Sequence, residues 1–345
     1  MLKEYLAQAI AGRNLSREAA RDAMQVIMSG QASELQIAAF LTAMRMKGET
    51  GMEVAGFAET MRKHALKVEC SSSKIIDTCG TGGDSRGTFN VSTAVAFVLA
   101  GAGLHVAKHG NRGVSSSCGS ADVLGALGVN LELPAHGVAA AIDNIGVGFI
   151  FAPRFHQAMK YAVNPRRELG FRTVFNLLGP LTNPAGAHCQ LIGVYDPALT
   201  AVAAGALAGL GVTRAMVVHS QDGLDEISTA FPTQIAEVVD GEIRSYTLDP
   251  KQYGFNRCAL ADYQGGTIED NARIIIRLLN GEAGFKRDIV LINAAAALVV
   301  ADAARDIREG LALAADSIDS GAALAKLEAL QTFTQNYKKG ELPLS

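Results

Sequence analysis

The first 68 residues of the chain carry apolar side chains at helical spacing and show no strand pattern. Two helix starts are marked by the spacing of a capping box, in which each of two side chains satisfies a free backbone N–H of the other: Ser33 with Gln36, and Thr50 with Glu53. We predict three or four short helices here. Short helices cannot bury all of this apolar surface alone, so we expect the excess either to mediate dimerisation or to pack on the rest of the chain.

From residue 74 onward, short apolar runs alternate with helical patterns. The predicted strands are 74–78, 104–107, 190–195 and 215–219; the predicted helices are 91–102, 120–127, 197–210 with Asp196 as N-cap, and the Ala-rich tail from 288. Asp240-Gly241, between the runs 234–239 and 242–248, predicts a hairpin. Alternating strands and helices form a parallel sheet, and the hairpin makes it mixed. We therefore predict an α/β protein with a mostly parallel, mixed central sheet and helices around it.

The segment 155–183 interrupts this alternation and is richer in Arg and Pro. Its helical stretches do not follow a predicted strand. We expect them to pack with the N-terminal helices, so that the small helical domain is discontinuous in sequence.

The amino-acid composition limits the classes of molecule that the chain is expected to bind. Of 345 residues, 49% are hydrophobic and only 6% aromatic, so the core must be aliphatic. The net charge of -3 gives no basic excess that would attract nucleic acid or an anionic membrane, and we expect neither as a partner. The five cysteines are odd in number and form no CxxC, which argues against a disulfide framework or a structural zinc site. The apolar stretch 289–300 is interrupted by Asn293 and is too short to span a bilayer, so we expect a cytoplasmic protein.

A glycine-rich segment from Asp77 to Thr93 follows the first predicted strand and opens a helix. Free backbone N–H groups in such a loop form a cradle for anions, and the helix N-terminus adds partial positive charge. Asn90, Ser92 and Thr93 fall in the first turn, where their side chains can donate to phosphate oxygens. No Gly-Lys-Ser/Thr follows and the GxGxxG spacing fails, so the segment is neither a Walker loop nor a dinucleotide fingerprint.

A second polar loop, from Lys108 to Ser120, also follows a predicted strand and opens a helix. Lys108 and Arg112 supply cations, and Ser115, Ser116 and Ser120 supply donors. Open α/β sheets bind ligands at the carboxyl edge of their strands, which is where both loops should lie. We predict that His109 lines this site, without a proton-transfer role.

Acidic residues follow the strand that ends at His219, in the sequence from Asp222 to Glu226. One or two carboxylates together with ligand phosphates and water are the usual Mg²⁺ environment. An isolated acidic pair is more often a solvated turn. Two phosphate loops at the same sheet edge favour a metal site here.

The pair Arg166-Arg167 lies in the interrupting segment and could grip a carboxylate with two parallel hydrogen bonds. A surface helix end with Glu168 as the ionic partner explains the same residues equally well. The residues alone leave both alternatives open.

Together these segments resemble the anthranilate phosphoribosyltransferases of tryptophan biosynthesis, over nearly the whole chain. The motifs that carry the resemblance are the helical start, Asp77 to Asp84, Asn90 to Thr93, Lys108 to Arg112, Phe175 to Pro184, and His219 to Glu226. The resemblance implies a small helical domain, 1–69 plus about 156–186, hinged to a larger α/β domain, 70–155 plus about 187–345. It also implies a homodimer formed through the helical part.

The resemblance further implies how substrates are held. Phosphoribosyl pyrophosphate, with Mg²⁺ and two ions per site, is expected at Gly80, Gly83, Asp84, Thr88, Asn90, Val91, Ser92, Thr93, Lys108, His109, Gly110, Asn111, Arg112, Gly113, Val114, Ser115, Ser116 and Ser120. The metal positions are Ser92, Asp225 and Glu226. Anthranilate is expected at Gly80, Asn111 and Arg166, with His109, His156 and Gly179 nearby. Lys108, Asn111 and Arg166 take the catalytic roles, and Arg166 rather than Arg167 binds the carboxylate.

The second loop departs from the family pattern at three positions. It has Gly113 where relatives commonly have Ala or Ser, and Ser117-Cys118 where they commonly have Lys-Ser. The missing lysine should weaken affinity for the anion modestly.

Two other functions remain possible. A pyrimidine nucleoside phosphorylase would have a similar architecture but no need for the Asp225-Glu226 pair. A non-catalytic relative that binds nucleic acid would not be expected to carry a net charge of -3 and an intact acidic pair.

Overall fold

The computed structural model describes residues 2–84, 86–113, 118–256 and 258–339. The predicted phosphate-site residues Val114, Ser115 and Ser116, and the departure at Ser117, lie outside these ranges.

Four helices form the start of the chain: α1 Leu2–Ile10, α2 Arg17–Met28, α3 Glu34–Lys47 and α4 Gly51–His64. Both predicted capping boxes are present, Ser33 with Gln36 at α3 and Thr50 with Glu53 at α4. Their hydrogen bonds satisfy backbone N–H groups that a helix start leaves free.

The sheet has seven strands within the described ranges, in the order β3-β2-β1-β4-β5-β6-β7. They are β1 Ile75–Asp77, β2 His105–Gly110, β3 Val147–Phe151, β4 Cys189–Gly193, β5 Arg214–Ser220, β6 Thr233–Val239 and β7 Glu242–Leu248. Strands β1 to β5 run parallel to one another, and β6 pairs antiparallel with both β5 and β7. Asp240 and Gly241 have positive φ at the β6–β7 turn, as the predicted hairpin requires. The predicted mixed, mostly parallel sheet is confirmed.

The remaining described α-helices cover the sheet or, in the case of α9 and α10, pack with the N-terminal helices. They are α5 Val91–Gly101, α6 Ser120–Ala126, α7 Ala135–Ile145, α8 Ala152–Phe155, α9 Lys160–Leu169, α10 Val174–Leu181, α11 Leu199–Gly209, α12 Ile268–Leu279, α13 Phe285–Val300, α14 Ile307–Asp319 and α15 Ala322–Lys339. None of the described helices is long and apolar enough to cross a membrane.

Several boundaries differ from the sequence-based expectation, and two of these differences change how residues near the site are interpreted. We expected the second strand to end at Ala107, but β2 continues to Gly110 because it pairs in parallel with β3, which the sequence analysis did not predict. Lys108 and His109 therefore sit on a strand and not in a loop. Asp196 does not cap α11, which begins at Leu199. Its Oδ1 instead accepts a hydrogen bond from the backbone N–H of Ala198, 3.0 Å away, in the preceding turn.

Alternate residues of the buried strands face two different cores, as the period of two dictates. On β5, Met216 and Val218 pack with α5 and α13, whereas Ala215 and Val217 face α11 and the N-terminal helices. Side chains of α9 and α10, including Leu178, belong to the same core as α2, α3 and α4. The interrupting segment thus packs with the N-terminal helices, as expected.

The strand order creates a crevice at one edge of the sheet. From β1 the chain moves outward to β2 and β3, and from β4 it moves in the opposite direction to β5. Because β1 and β4 are neighbours, the loops that follow them diverge at this point. Such switch points are where open α/β sheets bind ligands, and four loops converge here.

The helical part depends on a buried ion pair. Glu53 is fully buried, and its carboxylate accepts hydrogen bonds from the backbone N–H of Leu15 at 2.7 Å and from Lys47 Nζ at 2.8 Å. Removing this carboxylate with Glu53→Ala leaves the Lys47 ammonium without its ionic partner and the backbone N–H groups of Leu15 and Thr50 without their acceptor. We expect a loss of about 3–5 kcal/mol in the free energy of unfolding, measured by urea denaturation.

Glu59→Ala in the same helix is the matched control. Glu59 pairs with Arg17, Arg21 and Lys63 at 3.3 Å, on a part of α4 that water reaches. Removing the Glu59 carboxylate should lower the free energy of unfolding by about 1 kcal/mol or less. Equal losses in the two variants would contradict the importance assigned to the buried pair.

Candidate active site

The acidic turn after β5 lies directly against the ends of β1 and β4. The backbone N–H of Thr81 donates to Gly193 O at 2.8 Å. A Cβ on Gly193 would lie 1.5 Å from the backbone oxygen of Asp225, and one on Gly80 would lie 3.2 Å from Asp225 Oδ2. Only glycine at position 193 allows this approach. The glycine-rich loop and the acidic turn therefore form one site.

Three carboxylates gather in this site: Asp84, Asp225 and Glu226. Burial, and then the charge of Asp84, raise the pKa of Asp225 to about 7. Burial, and then the charge of Asp225, raise the pKa of Glu226. Within the part of the chain that the structure describes, the buried Asp84 Oδ2 has no hydrogen-bond partner. Crowded oxygen ligands that repel one another fit a divalent cation such as Mg²⁺.

Lys108 is the cation that the structure places beneath these carboxylates. It is 3% exposed, and its Nζ donates to Thr78 O at 2.8 Å and to Ser92 Oγ at 3.0 Å. Its charge opposes the rise in the pKa of Glu226. Lys108 thus joins β2 to the start of α5 at the floor of the site.

Ser92 is the first-turn residue of α5 whose hydroxyl takes part in this arrangement. Val91 and Thr93, which were predicted with it, are 2% and 1% exposed; Val91 packs in the core, and the Thr93 hydroxyl has no hydrogen-bond partner among the described residues. Asn90 lies at the N-cap position, and its Nδ2 donates to Cys118 O at 3.2 Å. Asn90 therefore ties the first loop to the second.

The second loop is organised by Asp122, which sequence reasoning missed. Asp122 Oδ2 accepts from the backbone N–H groups of Gly113 at 2.8 Å and Gly119 at 3.0 Å, and Oδ1 accepts from Arg112 at 3.1 Å. The position three residues after Gly119 was the available signal, because it is the spacing of a capping box. Arg112, predicted as a cation for phosphate, is already paired with this carboxylate.

The other predicted phosphate-site residues occupy the rims of the two loops. Thr88 forms an isolated antiparallel bridge with Gln264, and Gly83 is partly exposed in the first loop. Gly110 ends β2, Asn111 is exposed beyond it, and Ser120 begins α6.

Two buried histidines face each other, His109 next to Lys108 on β2 and His156 in the interrupting segment. The centroids of their rings are 5.1 Å apart, and neither buried Nε2 atom has a hydrogen-bond partner among the described residues. Burial lowers the pKa of His109 to about 3 and that of His156 to about 4, so both rings are neutral at neutral pH. His109 Nδ1 donates to Gly179 O at 3.1 Å, which leaves its Nε2 as an acceptor.

The structure distinguishes Arg166 from Arg167, whose roles the sequence alone could not assign. Arg166 is partly buried and lies over the ring of Phe175, with 5.3 Å from Cζ to the centroid, and burial lowers its pKa. Arg167 is 70% exposed and pairs with Glu168 at 3.6 Å. Among the described residues, Arg166 has no carboxylate within ion-pair distance. The surface ion pair therefore belongs to Arg167, and Arg166 is free to meet an anion.

A buried network around Asp77 was also missed. Asp77 Oδ1 accepts from the backbone N–H of His109 at 3.2 Å, and Oδ2 accepts from Asn183 at 2.8 Å. Burial raises the pKa of Asp77 to about 6. Ligand atoms of Asp77, Cys79 and His109 lie within 4.8 Å of one another. Because both oxygens of Asp77 already accept hydrogen bonds, we assign this group to holding β1 and β2 together, apart from the predicted metal ligands.

Comparison with known proteins identifies the family. Residues 72–324 match the model of the glycosyl transferase family a/b domain, and residues 3–65 match its helical bundle domain. The anthranilate phosphoribosyltransferase of Moorella thermoacetica is 55% identical over 98% of this chain and 99% of its own length. The chain belongs to the anthranilate phosphoribosyltransferase family. Membership of this family decides between the three functions that the sequence left possible.

Solved structures in the family share the fold described above. The enzyme from Thermus thermophilus has a TM-score of 0.91 and 42% identity, covering 96% of this chain and 99% of its own. The Saccharomyces cerevisiae enzyme in complex with phosphoribosyl pyrophosphate and Mg has a TM-score of 0.88 and 29% identity, covering 97% and 98%. The expectation of a helical domain joined to a larger α/β domain is confirmed.

The neutral buried histidines make stability depend on pH in a defined direction. The pKa of His156 is about 4 in the folded chain and about 6.5 in the unfolded chain. The stability that the neutral ring contributes is therefore fully present above pH 6.5 and is lost as the pH falls towards 4. His156→Gln removes this loss of stability at low pH. When the pH is lowered from 7 to 5, we expect the free energy of unfolding of the variant to rise by about 2 kcal/mol relative to that of the original chain.

Urea denaturation at a series of pH values measures this difference. A difference that does not change with pH would show that His156 is as easily protonated in the folded chain as in the unfolded one.

Proposed function

We propose that the chain transfers the phosphoribosyl group of phosphoribosyl pyrophosphate to the amine of anthranilate, releasing pyrophosphate, in tryptophan biosynthesis. The observation that carries this proposal is the crevice at the β1–β4 switch point. There a glycine-rich loop meets three crowded carboxylates. On the interrupting helical segment lies Arg166, which is partly buried and has no carboxylate within ion-pair distance among the described residues. Membership of the family supports it, as does the Mg complex of the yeast enzyme.

The leaving-group side of the reaction belongs to the two loops and the acidic turn. Ser92, Asp225 and Glu226, with Asp84 beside them, would hold Mg²⁺, and the three carboxylates are enough for two ions shared with the pyrophosphate. Bound Mg²⁺ would neutralise negative charge that develops on the departing pyrophosphate. The backbone N–H groups of the glycine-rich loop and the remaining N–H of Lys108 would add fixed dipoles and charge at the same place.

The acceptor side belongs to Arg166, Asn111 and the histidine pair. Arg166 would bind the carboxylate of anthranilate, and Asn111 would orient its amine beside Gly80. His109 and His156, both neutral, present uncharged faces next to Gly179. Aryl amines are unprotonated at neutral pH, so the chain needs no strong general base. Its contribution is to hold the two reactants in line.

The domain assignment supports a closing motion. We assign 1–69 and about 156–186 to the small domain, which carries Arg166, and 70–155 with about 187–345 to the large domain, which carries the phosphate loops. Closure about the connections between them would exclude water, which otherwise hydrolyses the activated sugar.

We further propose a cytoplasmic homodimer that forms through the helical part. Large apolar side chains are exposed on the N-terminal helices, with Ile10 at 71%, Leu35 at 83% and Met46 at 83%. All five cysteines are free thiols, as a reducing compartment requires. A second copy of the chain would cover these apolar side chains.

The role of Arg166 is tested by Arg166→Ala. Hydrogen bonds between charged groups contribute about 1.5–3 kcal/mol, so we expect the KM for anthranilate to rise roughly 10- to 100-fold. The KM for phosphoribosyl pyrophosphate should change little, because Arg166 lies on α9 and not on either phosphate loop. Initial rates measured by anthranilate fluorescence provide both constants.

Arg167→Ala is the control, since its guanidinium is exposed and paired with Glu168. It should leave both constants near their original values. An equal rise in the two KM values of Arg166→Ala, or the same effect in Arg167→Ala, would remove Arg166 from the anthranilate site.

The metal assignment is tested by the paired substitution Asp225→Asn with Glu226→Gln, which preserves shape and removes two negative charges. We expect kcat/KM to fall by at least about 100-fold and the Mg²⁺ dependence of the remaining activity to change. Normal turnover with an unchanged Mg²⁺ profile would show that these carboxylates do not bind the metal.

A further inference from the structure

Asn293 stands out in the interior of the α/β part. It lies in the middle of α13 and is fully buried, with Ile292 and Ala294 to Ala297 equally buried around it. An amide costs free energy in such surroundings unless all of its polar atoms are hydrogen-bonded. The helix would be uniformly apolar here without it, so the amide needs a specific partner.

That partner is the backbone of Ile227. Asn293 Oδ1 accepts from the Ile227 N–H at 2.9 Å, and Asn293 Nδ2 donates to Ile227 O at 2.9 Å and to Ile289 O at 2.8 Å. One side chain thus satisfies both backbone groups of one residue in the acidic turn. Ile227 lies in no strand or helix, so no ladder of hydrogen bonds fixes it otherwise.

Holding Ile227 fixes the residue before it, which is Glu226. Asn293 lines the same small cavity as Ser92, Asp225 and Glu226. Beyond Ile227, the turn is closed by a hydrogen bond from Ser228 Oγ to Asp222 Oδ2 at 2.7 Å. The anchor at Ile227 is therefore the link between the carboxylates and the rigid helix α13.

We infer that Asn293 is a positioning residue that holds Asp225 and Glu226 in place to bind Mg²⁺ with phosphoribosyl pyrophosphate. The inference rests on the proposed function. Neighbouring carboxylates repel each other, and a turn that is free to move would separate them. A clamp on the adjacent backbone keeps them convergent, as the partners of metal ligands do in other sites.

Asn293→Ser is the decisive substitution. A serine in a helix can still bond the carbonyl four residues earlier, here Ile289 O, but it is too short to reach both groups of Ile227. We expect the affinity for phosphoribosyl pyrophosphate in the presence of Mg²⁺ to fall roughly 10- to 100-fold, measured by isothermal titration calorimetry. The apparent Mg²⁺ requirement for binding should rise, whereas the KM for anthranilate should stay nearly unchanged.

Asn130→Ser is the matched control, because the Asn130 amide bonds the backbone of Thr334 far from the acidic turn. It should not change binding or its Mg²⁺ dependence. If Asn293→Ser lowers the thermal midpoint but binds phosphoribosyl pyrophosphate like the original chain at a temperature where it is folded, Asn293 has only a structural role and the inference is wrong.

Glu226→Gln in the same titrations separates the inference from the proposed function. If Glu226→Gln changes Mg²⁺-dependent binding and Asn293→Ser does not, Asn293 is not a positioning residue although the metal site stands. If neither substitution changes Mg²⁺-dependent binding, the proposed metal site is wrong, and the role inferred for Asn293 is wrong as well. Should Asn293→Ser not fold, Asn293→Leu, which fills the space without hydrogen bonds, is expected to show the same loss, and normal binding by it would overturn the inference.

Discussion

The close approach of the acidic turn to the end of β4 determines the rest of the candidate site. Gly193 has no side chain, so the backbone of Asp225 can lie where a Cβ would otherwise be. This contact brings Asp225 and Glu226 up to the glycine-rich loop, next to Asp84. The raised pKa values of Asp225 and Glu226 are its electrostatic consequence, because burial and mutual repulsion both disfavour the charged forms.

Two groups of side chains with opposite electrostatic character make up the candidate site. One is the set of crowded carboxylates, whose mutual repulsion a cation would relieve. The other contains the neutral rings of His109 and His156 and the guanidinium of Arg166, which has no carboxylate within ion-pair distance among the described residues. Lys108 lies beneath the carboxylates and joins β2 to α5 through Ser92. The carboxylates lie in the loops that follow β1 and β5, whereas His109 lies on β2 and Arg166 and His156 belong to the interrupting segment.

Much of the fold follows from local pattern. The capping boxes at Ser33 and Thr50, the hairpin at Asp240 and the alternation of strands with helices are all present. Strand β3 was not predicted although Val147–Phe151 is a short apolar run, because such a run fits a buried helix segment as well as a strand. Without β3, the pairing that extends β2 to Gly110 could not be predicted. The roles of Asp77 and Asn293 were missed because each bonds backbone groups that approach only in the folded chain, whereas Asp122 had a local signal in its spacing from Gly119.

The sequence by itself determined the class of fold, the family and the residue types of the site, because periodicity, turn chemistry and motif spacing are local properties of the chain. Only the tertiary structure decided which arginine faces inward, that Arg166 is free while Arg167 is paired, and that Arg112 is bound to Asp122. It also decided that three carboxylates share one crevice and that Asn293 anchors the turn carrying two of them. Distances between residues far apart in sequence are set by packing, and both charge and hydrogen bonding depend on those distances.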